Sequence, residues 1–422
     1  MKGYLLCLAI VAFACKETPP GPPLPQSPLA LAVEDVGVTE AWLRLGLSAE
    51  ATPRTVELKR KGHLVQTLTL TTSDTVIIAD SLLPGQTYVF TAFWSSDATH
   101  RDSAGVQVIT MDTTSHNFTW HTDKWGFGSS SALYDVAIIN DTLAYAVGEV
   151  YLPDSLGQPD GDLYNLATYD GSSWKFQKLY YQGGLAPITA IHAFSKDDVW
   201  LGIGYMLHWD GTQYREVEIP GYHSRVNKIW GASSRDLYIV GEGGLIYQYN
   251  GTAWHQIESG TTSDLTDVWG GSNRSVGSNV VIITAANKYT EGETKFLRIR
   301  NGMLDSLSWP LQLYPRLSVW FTEHSMLYSG GGGIFRHNGV GWKYFAELPL
   351  VYTNRIRGTA ENNIIAGGDF GLLMHFNGAS WHVYDELSLS TGNYESVAVK
   401  GNTVISVGWQ GSKAVAAVGR QN

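Results

Sequence analysis

The sequence predicts an all-β chain, in which a small β-sandwich precedes a seven-bladed β-propeller closed by a strand from its own N-terminal side. Three observations predict it. A chain of 422 residues with 46 Gly, 15 Trp and 22 Tyr is too long for one typical core and too poor in helix formers for a helical one. A unit of Asp/Asn-Gly-x-x-aromatic recurs as "TYDGSSW" at 168, "HWDGTQY" at 208, "QYNGTAW" at 248, "RHNGVGW" at 336 and "HFNGASW" at 375. With "RNG" at 300, its glycines fall at 171, 211, 251, 302, 339 and 378, a period near the 40 residues of one four-stranded blade.

The chain begins "MKGYLLCLAIVAFAC", with Lys2, an apolar run from Tyr4 to Phe13 and then Ala14-Cys15. That run is shorter than the roughly 20 residues a membrane span needs, so residues 1–14 read as a secretory signal. "AFAC" resembles the bacterial lipoprotein box, although Ala12 stands where Leu is usual. The resemblance implies that Cys15 becomes the lipidated first residue; the alternative is an ordinary signal peptide that happens to contain a Cys. Lys16-Glu17 resembles the short signal that sends some lipoproteins of the Bacteroidota to the outer face of the outer membrane. This implies an exported outer-membrane lipoprotein facing the cell surface, with its lipid as the only membrane contact. Residues 15–27 then comprise the lipidated Cys and a Pro-rich extended tether. Loss of Cys7 with the signal and acylation of Cys15 would leave no thiol for a disulfide.

Residues 28–113 show alternating apolar positions, with a hairpin turning at Lys61-Gly62. Trp42 in an early strand, the stretch "LLPGQTYVF" and Tyr88 within it resemble a fibronectin type III domain. The resemblance implies a core Trp42 and a corner Tyr88, its ring in the core and its hydroxyl bonded to backbone. No Arg-Gly-Asp loop is present, which favours a spacer over an adhesion module.

Residues 116–422 carry the repeats, each read as strand, polar turn, strand, Gly-rich turn, strand, Asp/Asn-Gly turn, strand. They start near Leu133, Ile188, Val226, Leu265, Leu317, Arg355 and Glu395. The last stops after three strands, whereas the orphan "HNFTWHTDKW" ahead of the first aligns Asn117 and Trp120 with a fourth strand. A strand at about residues 116–124 is therefore expected to complete the last blade and remove two exposed edges. The repeats resemble the degenerate BNR-type and photosystem-assembly-factor-like propellers of bacterial secreted proteins, without the Asp-box of sialidases.

A net charge of −10 with no basic run argues against nucleic acid and anionic membrane surfaces as partners. No paired carboxylates or nucleophile-base motif announces catalysis. The inter-blade connections place Tyr181, Tyr222, His223, Tyr314, Tyr352 and Tyr394 around the channel mouth, an aromatic rim suited to a glycan or a peptide; the alternative is ordinary loop tyrosines. Trp230, Trp269 and Trp320 share an innermost-strand position with His192 and Arg357 and are expected to pack between blades. His208, Gln248, Arg336 and His375 share another position, which is expected to be a solvated strand face. Insertions at 150–165 and 287–295 are expected on the same face as the rim. In the first, Asp154, Asp160 and Asp162 offer oxygens to Ca²⁺, although their spacing is not that of a calcium loop; no other cofactor is implied. Asp-Ser/Thr triplets at Asp74, Asp80, Asp102, Asp112, Asp141, Asp154 and Asp305 resemble an O-glycosylation acceptor, or follow from Thr-rich strand ends. Two functions remain open: a non-catalytic platform for a glycan or protein, and a carbohydrate- or peptide-active hydrolase or lyase at the channel mouth.

Overall fold

The computed structural model describes residues 29–48, 54–95, 101–221, 224–287, 294–308 and 314–422. The stretches expected to form a signal sequence and a tether, with Cys15, lie outside the described residues, as do Tyr222 and His223. Among the described residues the regular structure is β-strand with short 3-10 turns, and the chain divides into two compact units.

The first unit has two antiparallel sheets. Leu29–Val36, Ala41–Leu47 and Asp74–Ala79 form one, in that spatial order; His63–Leu70, Arg54–Arg60, Thr87–Ser95 and Arg101–Ile109 form the other. Alternation puts Leu45, Val56, Leu58 and Phe90 wholly inside, together with Trp42. The hairpin turns where expected: Lys61 and Gly62 take φ of 49° and 81°, two left-handed residues in the two-residue turn whose twist matches the strands. The ring of Tyr88 is less enclosed than expected. It shares a face with Phe90 but is half-buried at the end of its strand, with the Arg60 guanidinium 5.6 Å over its ring.

The second unit contains seven four-stranded antiparallel sheets. Their first strands are Ala132–Asn140, Ala190–Ser195, Val226–Ser233, Leu265–Asn273, Arg316–Phe321, Thr353–Ala360 and Gly392–Lys400. Each lies within three residues of the start expected from the repeats. Each first strand touches the next, and the seventh touches the first. The seventh sheet takes its fourth strand from Phe118–Trp125, which pairs with Lys413–Gln421 from Ala414 opposite Trp125 to Gln421 opposite Phe118. Equivalent positions on the first strands carry Val136, Ile191, Ile229, Val268, Val319, Ile356 and Val397, all buried. This ring of β-branched side chains is the centre of the core, held by residues that prefer strands.

The Asp/Asn-Gly units are turns between third and fourth strands. Gly171, Gly211, Gly251, Gly339 and Gly378 have φ between 87° and 94°, where a Cβ is strained. The preceding Asp or Asn uses one side-chain oxygen to accept two backbone N–H groups; Asn250 Oδ1 accepts those of Thr252 and Ala253 at 3.0 and 2.9 Å. Only that oxygen matters to the turn, so Asp and Asn exchange freely. The segment at 150–165 is an extension of two strands, Leu143–Pro153 and Pro159–Tyr169, joined by a turn in which Asp154 Oδ1 accepts the N–H groups of Leu156 and Gln158, each at 2.8 Å.

Candidate functional site

One residue before the buried aliphatic ring, the first strands carry Asp135, Ala190, Lys228, Asp267, Ser318, Arg355 and Ser396. Charges in the middle of otherwise apolar strands need partners, and here the partners come from other sheets. Asp135 accepts the backbone N–H of Ile191 in the second sheet at 3.0 Å and the hydroxyl of Ser396 in the seventh at 2.7 Å. Lys228 Nζ, from the third sheet, reaches both of its oxygens at 2.7 Å. Asp267 repeats the scheme: it accepts the Val319 N–H at 3.1 Å, the Ser318 hydroxyl at 2.5 Å and the Arg357 Nη2 at 2.6 Å, with Arg355 Nη1 also at 2.6 Å. Ser318 Oγ in turn accepts the N–H of Ile356 in the sixth sheet at 3.1 Å.

Electrostatics follow this geometry. Burial alone would raise the Asp135 carboxyl, but Lys228 and Arg355 outweigh it and hold the group below the ordinary carboxylate range. Asp267 is depressed in the same way by Arg355 and Arg357 against its burial. Burial pulls the Lys228 ammonium down to about 8, opposed by Asp135, so both pairs are ionised at neutral pH. Burial also lowers His192 to about 4, helped by the Lys228 charge. Two carboxylates thus face three cations, and Arg355 keeps one buried Nε–H without a hydrogen-bond partner.

A cavity opens at each end of this charged layer. The near mouth, where the first strands begin, has a volume of about 330 Å³ and is walled by Tyr134, Arg225, Asn227, Glu242, Asp264 and Glu395, with Arg355 in its lining. The Arg225 guanidinium lies 5.0 Å over the Tyr134 ring, and Glu395 accepts the Trp409 indole N–H at 2.9 Å. The far mouth is smaller, about 180 Å³, and its lining includes His192, Lys228, Trp230, Trp269, Arg357 and Lys400. Trp230 and Trp320 pack between sheets as expected. Their indoles lie where a Cβ on Gly270 or Gly358 of the next sheet would sit, and Trp269 donates its N–H to the Phe321 carbonyl across the same kind of interface at 2.9 Å.

None of the described tyrosines of the expected aromatic rim lines the near mouth. Tyr181 stacks on Tyr205 at 4.8 Å in the connection before the second sheet. Tyr314 is exposed, Tyr352 half-buried, and neither lines the near mouth. Tyr394 cannot belong to a rim: its ring is fully buried and its hydroxyl donates to the Leu387 carbonyl at 3.2 Å. Asp154, Asp160 and Asp162 do not converge on one point. Asp154 is used in its turn, while Asp160 and Asp162 take the Lys178 ammonium at 2.7 and 3.3 Å. Among the described residues no group of three or more His, Cys, Asp or Glu is arranged to hold a metal.

The position of His208, Gln248 and His375 is not a solvated face. His375 is wholly buried, and each side chain meets the Asx residue that opens the second strand of its sheet: His208 with Asp198 at 2.8 Å, Gln248 with Asp236 at 3.1 Å, His375 with Asn363 at 3.1 Å. His and Gln alternate there because each supplies one N–H donor. Arg336, at the same position, is buried as well.

No family model matches the sequence, and no curated protein matches it. Solved structures do resemble it in fold. A structure described as YCF48 bound to D1 peptide aligns with a TM-score of 0.55 at 13% identity, covering 74% of this chain and 97% of that one. YCF48 from Cyanidioschyzon merolae aligns at 0.51 and 12%, covering 70% and 98%. The WD40 β-propeller domain of Doa1 aligns at 0.50 and 12%, covering 72% and 98%. At such identities the likeness shows the fold alone, a β-propeller.

Proposed function

We propose that the chain is a surface-anchored envelope lipoprotein in which a fibronectin type III-like spacer presents a closed seven-bladed propeller as a non-catalytic platform for a protein partner, bound at the near mouth. The observation that carries this reading is the use of the inner charges. Asp135 and Asp267 are saturated with donors and held ionised, so neither is suited to general acid or base work; their geometry serves to fasten one sheet to the next. What remains open is a polar mouth of mixed charge, the kind of surface that discriminates a protein partner by electrostatic complementarity. YCF48, with the same fold, has been solved with a peptide bound, which supports a polypeptide ligand over a glycan. The spacer reading rests on the sheet orders of the first unit and the anchoring on Cys15 with its flanks.

Crosslinking on intact cells tests both halves together. The wild-type chain should stay with the membrane fraction and trap one partner; Arg225→Glu with Glu242→Arg should lose that partner while melting unchanged and staying on the membrane. Cys15→Ala should release the protein from the membrane, and undiminished retention would remove the anchor from the proposal.

A further inference from the structure

The fourth strand of a sheet opens on an aromatic ring in six of the seven sheets, and those rings show what the interface ahead of the second sheet lacks. Trp174, Trp254, Trp342 and Trp381 each lean on a third-strand ring of their own sheet, Tyr169, Tyr249, His337 and Phe376, at 5.1, 5.1, 4.9 and 5.0 Å. Each indole also meets a ring of the preceding sheet: Trp125 at 6.0 Å, Trp200 at 6.3 Å, Phe296 at 5.7 Å and Phe345 at 5.9 Å respectively. Trp120 of the closing strand does the same with Tyr384 at 5.0 Å. An indole is thus the wedge that fills the gap between consecutive sheets.

Two sheets break the pattern: the fourth, whose fourth strand opens on the exposed Met303, and the second, where an aromatic ring is kept but the indole is not. Its unit reads "HWDGTQY", so the wedge position is Tyr214. Tyr214 keeps its own-sheet neighbour, Trp209 at 4.8 Å, yet it is 38% exposed. Beside it, between the first and second sheets, lies a cleft of about 370 Å³ whose walls include Tyr145, Leu166, Thr168, Leu201, Trp209 and Tyr214. At its rim the exposed ion pair of Lys196 and Asp197, 2.7 Å apart, offers both signs of charge.

We infer that this cleft is a binding site for an aromatic side chain, of indole size, presented by a partner polypeptide. The molecule itself displays the fit, because the equivalent space at five other interfaces is occupied by an indole held between rings of two sheets. Apolar and aromatic walls supply the burial, and the polar rim suits the peptide backbone that would carry the ring. The site is separate from the near mouth and does not depend on what binds there.

Ligand-observed NMR with N-acetyltryptophanamide on the full chain tests it, with Tyr214→Trp as the variant that supplies the missing ring from within. The wild type should show saturable binding, and the variant should bind at least tenfold more weakly. The variant's own ring should also be accommodated, with Tm higher by about 1–2 °C. Equal binding by both proteins, no binding by the wild type, a lower Tm for Tyr214→Trp, or saturable binding of methyl glucoside in preference to the indole would each overturn the assignment.

Discussion

Asp135 shows how a single side chain can look catalytic and be structural. It is buried, ionised and next to a lysine, which is the description of many active-site carboxylates, but its oxygens are already taken by Lys228, Ser396 and the Ile191 N–H. Removing one member of such a pair leaves an uncompensated buried charge, at a cost of about 3–5 kcal/mol, whereas removing both charges costs far less. Lys228→Met should therefore lower stability by that amount in urea unfolding, and adding Asp135→Asn should restore a large part of it, since an amide oxygen at that position can still accept the Ile191 N–H. Strictly additive losses would mean that the two side chains act independently. The pair was not legible in the sequence. Each residue stands alone among apolar neighbours, and the partners are 93 positions apart, 90 in the Asp267–Arg357 pair. What the sequence does show is a charged residue in phase with the repeat, one place before the aliphatic position, in four of seven first strands.

Local elements were easier to read, because turns and wedges are encoded within a few residues. The Asx-Gly turns and the Trp that follows them behave as their spacing implies, whereas His375 misleads: its burial depends on a segment that arrives from elsewhere. That segment is the approach to the closing strand. His116 Nδ1 lies 2.8 Å from His375 Nδ1, and the Tyr384 hydroxyl donates to the His116 carbonyl at 2.9 Å. With His375 Nε2–H directed at Asn363, its Nδ1 is the acceptor and His116 the donor, an arrangement that tolerates no additional proton. Burial, with the charges of His116 and His382, pushes His375 down to about 3. An unfolded histidine titrates near 6.5, so between about 6.5 and about 3 the unfolded chain binds more protons and stability falls as pH is lowered. His375 should account for a loss of about 2 kcal/mol between pH 6.5 and 5, read as a falling Tm, with His192 adding a loss of its own over the same range. His375→Gln, which keeps the bond that Gln248 makes in the third sheet, should make that dependence shallower by the His375 share; an unaltered slope would assign the effect to other groups.

At the scale of the whole chain, the period of the repeats made the number and order of the sheets legible, since each sheet is one uninterrupted stretch of sequence and only the seventh is assembled from both ends. Its composite nature was still readable, because a three-strand remnant and an orphan fourth strand are complementary deficits. The charged layer and the cleft beside Tyr214 were not, since both arise from how one repeat meets another. The proposed closure of the ring makes the strongest demand on this reading. Phe118–Trp125 covers the edge of Lys413–Gln421, seats Trp120 where a Cβ on Gly419 would lie, and sets Trp125 against Trp174 and Phe176 of the first sheet at 6.0 and 5.0 Å. Deleting residues 116–124 would expose a long strand edge and unpack the interfaces on both sides of it, so the effect should spread through the ring. Calorimetry should show a melting transition lowered by about 10 °C or more on the scale of about 1–2 °C per kcal/mol, with aggregation at lower temperature, while an equal-length deletion in the Pro-rich stretch at 18–26 leaves the transition in place. If the two deletions melt alike, the ends of the propeller are held together by something other than this strand.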